Sequence, residues 1–430
     1  MINNNKKVNT KGGAAMLIAV IFFLFTSMTI VLGMVNPVIK QAAVSKNLSV
    51  SKESYYLANG ATEDIYYRLK SGKQVADSET ISLNNASATM LVSNTPTGKQ
   101  IISTATKNSN VRKILSDVIL GSGASFNYGI QSGQGGVNMS NSSNVQGNVY
   151  SSGPVTGSGN TINGDVVSSG PSGLIEDINV TGSAYAHTIR DSSVGGNAYY
   201  VVKSNTSVSG TSYPNSPDQP AIDLPISDEQ IAEFEADALA GGVISSPCPY
   251  SISSNRTLGP IKITCNVSIS GSPTVTLNGS VWVTGNISFT NSPVIRVGAG
   301  LGNKSVVMIA DNPANRTTSS AISLRNSSSF YGSGSPGSFI FLISMNNSAE
   351  LAGDEEAIEM DNSANGGALV LYAPHGLVAI NNSASMKEVT AYKIRSRNSA
   401  QVIYDTGLVN TLFTSGPGGG FEISNWGEVE

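Results

Sequence analysis

The sequence predicts a mainly β chain: a parallel β-solenoid in two segments, preceded by a long N-terminal helix that starts as a transmembrane span. Three observations lead there. Near-copies of one short unit, GNVYSSGP from Gly147 and GDVVSSGP from Gly164, are echoed by GSAY at Gly182 and GNAY at Gly196. Turn-forming pairs such as Asn-Ser and Ser-Pro recur through the second half. Finally, the run Ala14 to Val35 carries no charge over twenty-two positions.

Composition sets the limits. The 430 residues leave room for more than one domain. Charged residues are only 13%, against a usual share of about 25%, and 45 glycines with many Ser, Asn and Thr take their place. That mixture suits short strands joined by tight turns. Apolar residues at 40% supply a core, which argues against a disordered chain. A net charge of −4 without a basic run argues against a nucleic-acid partner. Two histidines and two cysteines leave little material for a metal site, and no cofactor is expected.

In chain order, residues 1–13 form a short basic leader and 14–35 the span. As a helix the span covers about 33 Å, enough for a hydrocarbon core of about 30 Å. A secretory signal peptide is the competing reading, but its apolar region is about 7–15 residues and ends in small residues. Here bulky residues continue to Met34. Lys6, Lys7 and Lys11 precede the span while Lys40, Lys46 and Lys52 follow it, so charge alone nearly ties on orientation. Residues 36–72 continue as an amphipathic helix with Val44, Leu48, Tyr55, Ala58, Ile65 and Leu69 on one face. Pro37 is expected to kink it and Asn59-Gly60 to weaken it. A small β segment is expected over 73–122.

These first 120 or so residues carry a family resemblance. The leader, the glycine pair in KGG (Lys11 to Gly13) and the apolar helix resemble type IV pilin-like proteins cut by prepilin peptidase. The stretch SYYLANGATEDIYYRL, Ser54 to Leu69, is similar to the N-terminal region of PilX-type minor pilins. The resemblance implies cleavage after Gly13 or Gly12, so that Gly12, Gly13 and Ala14 frame the site. With Ala14 as first mature residue the fifth is Ile18, where major pilins carry glutamate, so the resemblance points to an accessory subunit. Asn59 stands where the family usually has glutamate.

The repeats explain residues 123–211 and 247–430. A unit of 14–18 residues cannot bury its own apolar face, but stacked units can. Strands such as NVY and DVV, each followed by SSGP, therefore read as coils of a first solenoid segment. In the second, turn pairs at Ser272-Pro273, Ser292-Pro293, Asn312-Pro313, Asn326-Ser327, Asn347-Ser348, Asn362-Ser363, Asn382-Ser383 and Asn398-Ser399 alternate with apolar strands. Asparagines at equivalent turns are expected to stack as an amide ladder. A β-sandwich also uses many short strands and is the structural rival. Between the segments, residues 212–246 hold a Pro-rich linker, Ser212 to Pro225, and a helix. Ser227 caps that helix, Gln230 completes a capping box and Gly241 stops it. Its face of Ile231, Phe234, Ala238 and Leu239 is expected to lie against a solenoid, with coverage of an open end as one way of doing so. The tail, with Phe421, Ile423 and Trp426, is expected to cap the other.

Few residues offer chemistry. Cys248 and Cys265 are expected to pair in an extracytoplasmic domain, with reduced buried thiols as the alternative. His187 and His375 lack neighbours that would suggest nucleophilic catalysis. The acidic stretch Asp354 to Asp361 reads as a solvated loop, and its rival reading is acid–base work on a polysaccharide by Asp354, Glu355 or Glu359. Glycosylation-type triplets at Asn255, Asn266 and Asn286 arise from composition.

The expected function is structural and not enzymatic: an accessory protein of a type IV pilus-like or pseudopilus-like envelope apparatus. Its N-terminus would lie inside the cytoplasmic membrane, with the solenoid displayed outside or on a surface pilus. Expected partners are the lipid bilayer, other pilin-like subunits, prepilin peptidase and cell-surface or polysaccharide ligands. The alternatives are a membrane-tethered polysaccharide enzyme and a self-polymerising scaffold resembling bactofilins.

Overall fold

A computed structural model describes residues 11–70, 75–95, 98–120, 123–362, 364–414 and 421–429. The first ten residues of the leader, Ser363 and residues 415–420 of the tail lie outside the described residues. The protein is mainly β with one long N-terminal apolar helix. It divides into two compact units, one within residues 1–66, 75–118 and 423–430, the other within 67–74 and 119–422.

In the first unit, helix α1 runs Lys11–Lys70 without a break at Pro37 or at Asn59-Gly60. Its C-terminal part packs on an antiparallel sheet of β1 (Ser78–Leu83), β2 (Ala86–Thr95), β3 (Gly98–Lys107), β4 (Asn110–Leu120) and the strand Phe421–Val429. The hairpins turn through Asn84-Asn85 and Asn108-Ser109, all at positive φ. Asn tolerates that conformation and it matches the twist of the strands. In β2 every second residue, Ala86, Ala88, Met90 and Val92, is buried. They meet Ala58, Ala61 and Ile65 of α1, where small side chains allow close approach. The expected apolar face needs correction: Val44 and Leu48 are exposed and packing starts only at Val50. The tail also departs from expectation. Its strand completes this sheet, because β4 would otherwise present an open edge with unpaired backbone groups.

The second unit consists of parallel ladders. Followed by pairing, the first ladder ascends through Val243–Ile244, Ile261–Ile263, Val281–Val283, Lys304–Ala310, Ile340–Ser344, Leu369–Ile380 and Glu388–Ser396. The next strand in space is not the next in sequence. Glu388–Ser396 pairs in parallel with Ile130–Met139, and the ladder continues through Val149–Ser151, Val166–Ser168, Ala184–Arg190 and Ala198–Ser204 to Ser212–Pro214. A second and a third ladder follow the same order around one shared core. Residues expected as two segments therefore form one stack in which the later segment comes first. Entry and exit of the chain lie side by side: Thr411 and Leu412 pair antiparallel with Ala124 and Gly123, while Leu412 and Phe413 pair in parallel with Lys304 and Ser305.

The repeated octapeptide now has a cause. Gly147, Gly164, Gly182, Gly196 and Gly210 form a column in which the amides of Gly147, Gly182, Gly196 and Gly210 bond to backbone carbonyls of the adjacent rung. A Cβ on Gly164 would lie 2.5 Å from the Gly147 carbonyl oxygen, so only glycine fits. The residue after each glycine links the rungs: Asn148 accepts from the Asp165 amide at 2.9 Å, Asp165 from Ser183 at 2.7 Å, and Asn197 from Thr211 at 2.9 Å. Asn255, Asn266 and Asn286 do the same for Thr274, Asn286 and Ala321 in the other segment. The repeat encodes contacts between coils.

Helix α2, Asp228–Ala240, has the expected capping box of Ser227 and Gln230. It does not cover an end of the stack. Ile231 and Phe234 pack on the outer side of the first ladder, against a second apolar cluster that includes Phe341, Val370, Tyr372 and Phe413. Leu239, expected on that face, is exposed. The reason is chemical: these strands are apolar on both faces and need a cover along their length.

Candidate functional site

The element apolar enough to cross a membrane is the N-terminal half of α1. Residues 15–49 are exposed apart from Thr26 and Ser27, and they include Phe22, Phe23 and Phe25. The helix is long and apolar enough to cross a membrane. Its hydroxyl groups are satisfied internally, as lipid demands: Ser27 donates to the Phe23 carbonyl at 2.7 Å and Thr29 to Phe25 at 2.8 Å. Gly12, Gly13 and Ala14 lie in the first turns of this helix.

Farther along, polar side chains fix α1 to its sheet. Thr62 donates to the Ser103 hydroxyl at 2.8 Å and Ser54 to the Asn110 carbonyl at 3.0 Å. Asn59 accepts from the Trp426 indole at 3.0 Å and donates to Glu63 at 2.8 Å. An amide performs both tasks, whereas a glutamate there could only accept. The departure at residue 59 thus has a local reason, and sequence reading had no signal for Trp426 as its partner.

Cys248 and Cys265 are joined, with Cα atoms 5.8 Å apart. They lie two residues before Tyr250 and Val267, which are paired in register, so the bond staples the terminal rung to the next. The acidic stretch does not converge on a reactive centre. Glu359 pairs with Arg325 at 2.8 Å and Glu356 with Arg395, while Asp354 and Glu355 point to solvent. Burial raises Glu356 above the usual carboxylate range while Arg395 opposes the shift. Among the described residues, no group of His, Cys, Asp and Glu is arranged to hold a metal ion.

The two histidines, read as ordinary residues, share a task. His187 meets Asp218 at 3.1 Å, and His375 meets Asp228 at 3.0 Å and Glu350 at 2.7 Å. Asp218 and Asp228 belong to the segment joining Pro214 to Val243, which runs the length of the stack as a strap. Along it, Gln219 accepts from the Gly170 amide, Pro220 from the Tyr150 hydroxyl, Asp223 from the Gln131 side chain and Ile226 from the Tyr372 hydroxyl. Proline spares this extended segment backbone donors that would lack partners. Beyond Ile226, α2 continues the strap. Glu235 approaches Asp311, which is fully buried and held by two bonds from Arg316 at 2.8 and 2.6 Å. Burial first, then the Asp311 charge, push the Glu235 carboxyl up to about 8.

A buried acid that sequence reading missed lies under the strap. Glu388 is fully buried, accepts from Thr390 at 2.6 Å, and its Oε2 has no hydrogen-bond partner among the described residues. Desolvation holds its carboxyl well above the ordinary range. Desolvation first, then the Glu388 charge, push the half-buried neighbour Tyr404 up to about 12.

No protein-family model matches the sequence, and no curated protein matches it. Among solved structures, the competence-associated pilin ComZ from Thermus thermophilus aligns with 88% of this chain and 97% of its own, at 10% identity and a TM-score of 0.34. That likeness is too slight to carry an inference about this chain.

Proposed function

We propose that the protein is a membrane-anchored structural subunit of a type IV pilus-like envelope apparatus, related to PilX-type minor pilins. In this reading the second unit is a β-solenoid displayed outside the cytoplasmic membrane for assembly or surface contact, and the chain catalyses no reaction. One observation carries it: a single unbroken helix, α1, is bare and apolar in its first half and built into a β sheet in its second. Such an element serves as anchor and as scaffold of the exterior unit at once. The glycine pair before the span supplies the leader-peptidase part of the reading, and other pilin-like subunits are the partners that the bare half of α1 would meet.

Two features favour this over its rivals. Of the acids in the enzyme reading, Glu359 is paired with Arg325, and the neighbouring Glu356 is paired with Arg395. Self-polymerisation through the stack is opposed at both ends. At one, the column that reads Ile175, Ile189 ends in Lys203, whose exposed charge on the last rung disfavours edge pairing. At the other, Pro247, Pro249 and Pro260 lack backbone donors.

Intact mass of the membrane-extracted protein tests the reading. We expect a chain beginning at Ala14 or Gly13, and cross-links from α1 to other pilin-like subunits. A chain that retains Met1 to Lys11 and yields no such cross-link would refute it.

A further inference from the structure

The two ends of the stack are held differently. At one, the bond between Cys248 and Cys265 ties the terminal rung to the next and uses both cysteines of the chain. At the other, the last strands leave Val201, Val202 and Tyr213 exposed. What this end has instead is a column of tyrosines. Tyr185, Tyr199 and Tyr213 are in-register partners on successive parallel strands. Their rings stack face to face, with centroids 4.5 Å apart at an interplanar angle of 3° in the first pair and 4.6 Å apart at 7° in the second. In-register parallel strands repeat by translation, so the ring carbons beside each hydroxyl face their counterparts. The hydroxyls meet as well, Tyr185 bonding to Tyr199.

The chain has 15 tyrosines, and two other neighbouring pairs lack this arrangement. Tyr55 and Tyr56 cross at 73°, and Tyr128 and Tyr150 at 47°. Val167 separates the column from Tyr150.

From this stacking we propose that Tyr185, Tyr199 and Tyr213 form a site of oxidative modification, at which a one-electron oxidant of the peroxidase and hydrogen peroxide class joins neighbouring rungs through dityrosine. The oxidant takes one electron and the phenolic proton from each of two stacked rings. The two radicals pair their electrons in a new bond between the carbons beside the hydroxyls. The hydrogen on each of those carbons then moves to its phenolic oxygen as the rings regain aromaticity. In sum, two tyrosines lose one hydrogen each, and one hydrogen peroxide becomes two waters. The half-filled orbitals stand perpendicular to the ring planes, so stacked rings aim them at each other and crossed rings do not. Tyr213 is 41% exposed and Tyr185 and Tyr199 are half-buried, which gives a small oxidant access from the end of the stack. The product staples the last rungs as the disulfide staples the first, by a link that thiols cannot open. The inference concerns the second unit alone and does not depend on the pilus reading.

Treatment of the full chain, purified in detergent, with a haem peroxidase and hydrogen peroxide tests it. Dityrosine is detected by its fluorescence and located by tandem mass spectrometry of the linked peptides. We expect links from Tyr185 to Tyr199 and from Tyr199 to Tyr213 within one chain. Rings held together react as one molecule, so the yield per chain should stay constant when the protein is diluted about tenfold. Tyr199→Phe keeps a ring in the column but has no phenolic hydrogen, so both links should disappear, while Tyr56→Phe should leave them intact. Amides of Ala198–Ser204 should exchange more slowly in oxidised wild type and not in oxidised Tyr199→Phe. Equal yields at Tyr55–Tyr56 or Tyr128–Tyr150, links mainly between chains, or no dityrosine while free tyrosine in the same mixture couples would each overturn the proposal.

Discussion

Asn398 and Asn141, 257 residues apart, share a hydrogen bond: the Asn141 amide donates to Asn398 Oδ1 at 2.9 Å. Asn398 in turn donates to Asn382 at 2.8 Å, and Asn382 to Asn362 at 3.4 Å. All four residues have φ between 49° and 55°, which Asn tolerates better than other side chains. The amide column continues unbroken across the join between the later and the earlier segment. Asn382 and Asn398 both donate and accept, so the column sets register where sequence continuity does not.

The join makes a covalent prediction. Gln401 and Asn144 are in-register partners in parallel strands. Introduced as a pair, Gln401→Cys and Asn144→Cys should form a disulfide, since strands lie about 4.8 Å apart, within the range a disulfide spans. Mass spectrometry of peptides after digestion reads the bond. Ser207→Cys with Thr274→Cys, which would join the segments in sequence order, should give none.

Lys203→Val tests the guarded end. The variant continues the apolar column of Ile175 and Ile189 onto the last rung and removes the exposed charge there. Light scattering on the detergent-solubilised protein should then show concentration-dependent association that wild type lacks.

Cys265→Ser removes the staple of the terminal rung. Closing a loop of this size contributes about 3 kcal/mol in the chain-entropy account. Denaturant unfolding should show a loss of that order, with the strands Tyr250–Ile252 and Val243–Ile244 losing exchange protection first.

Glu388→Gln separates charge from shape. The raised carboxyl adds stability that is complete below the ordinary carboxylate range and is lost as pH rises through its raised pKa. Wild type should therefore lose more stability than the variant as pH rises from 5 to 8. Midpoints of denaturant unfolding at the two pH values measure it.

Much of this was legible in residues close together in sequence. The apolar run, the capping box at Ser227 and Gln230, the turn asparagines and the glycine-led repeat each act over a few residues or between adjacent coils, and each produced the expected local structure. What escaped notice joins distant residues. Nothing in Val389, Ala391 or Ile394 marks Ile130, Ser132 and Val137 as their neighbours, because any β-rich rung fits any other. The tail strand was misplaced for a similar reason: alternating residues around Ile423 suit any open edge, and β4 offered one. The strap was hidden by its prolines, which read as a spacer, while its contacts use backbone carbonyls that sequence does not display.

The order of the rungs bears on how the chain is made. Residues 130–214 leave the ribosome, and any export channel, before the coils on which they rest. Until Glu388–Ser396 arrives, the underside of Ile130–Met139 has no neighbour, and nascent protein carries a raw β edge through most of its synthesis. Maturation is thus a late docking event, completed from the carboxyl side, and a truncated product would keep that edge open to whatever strand it met first.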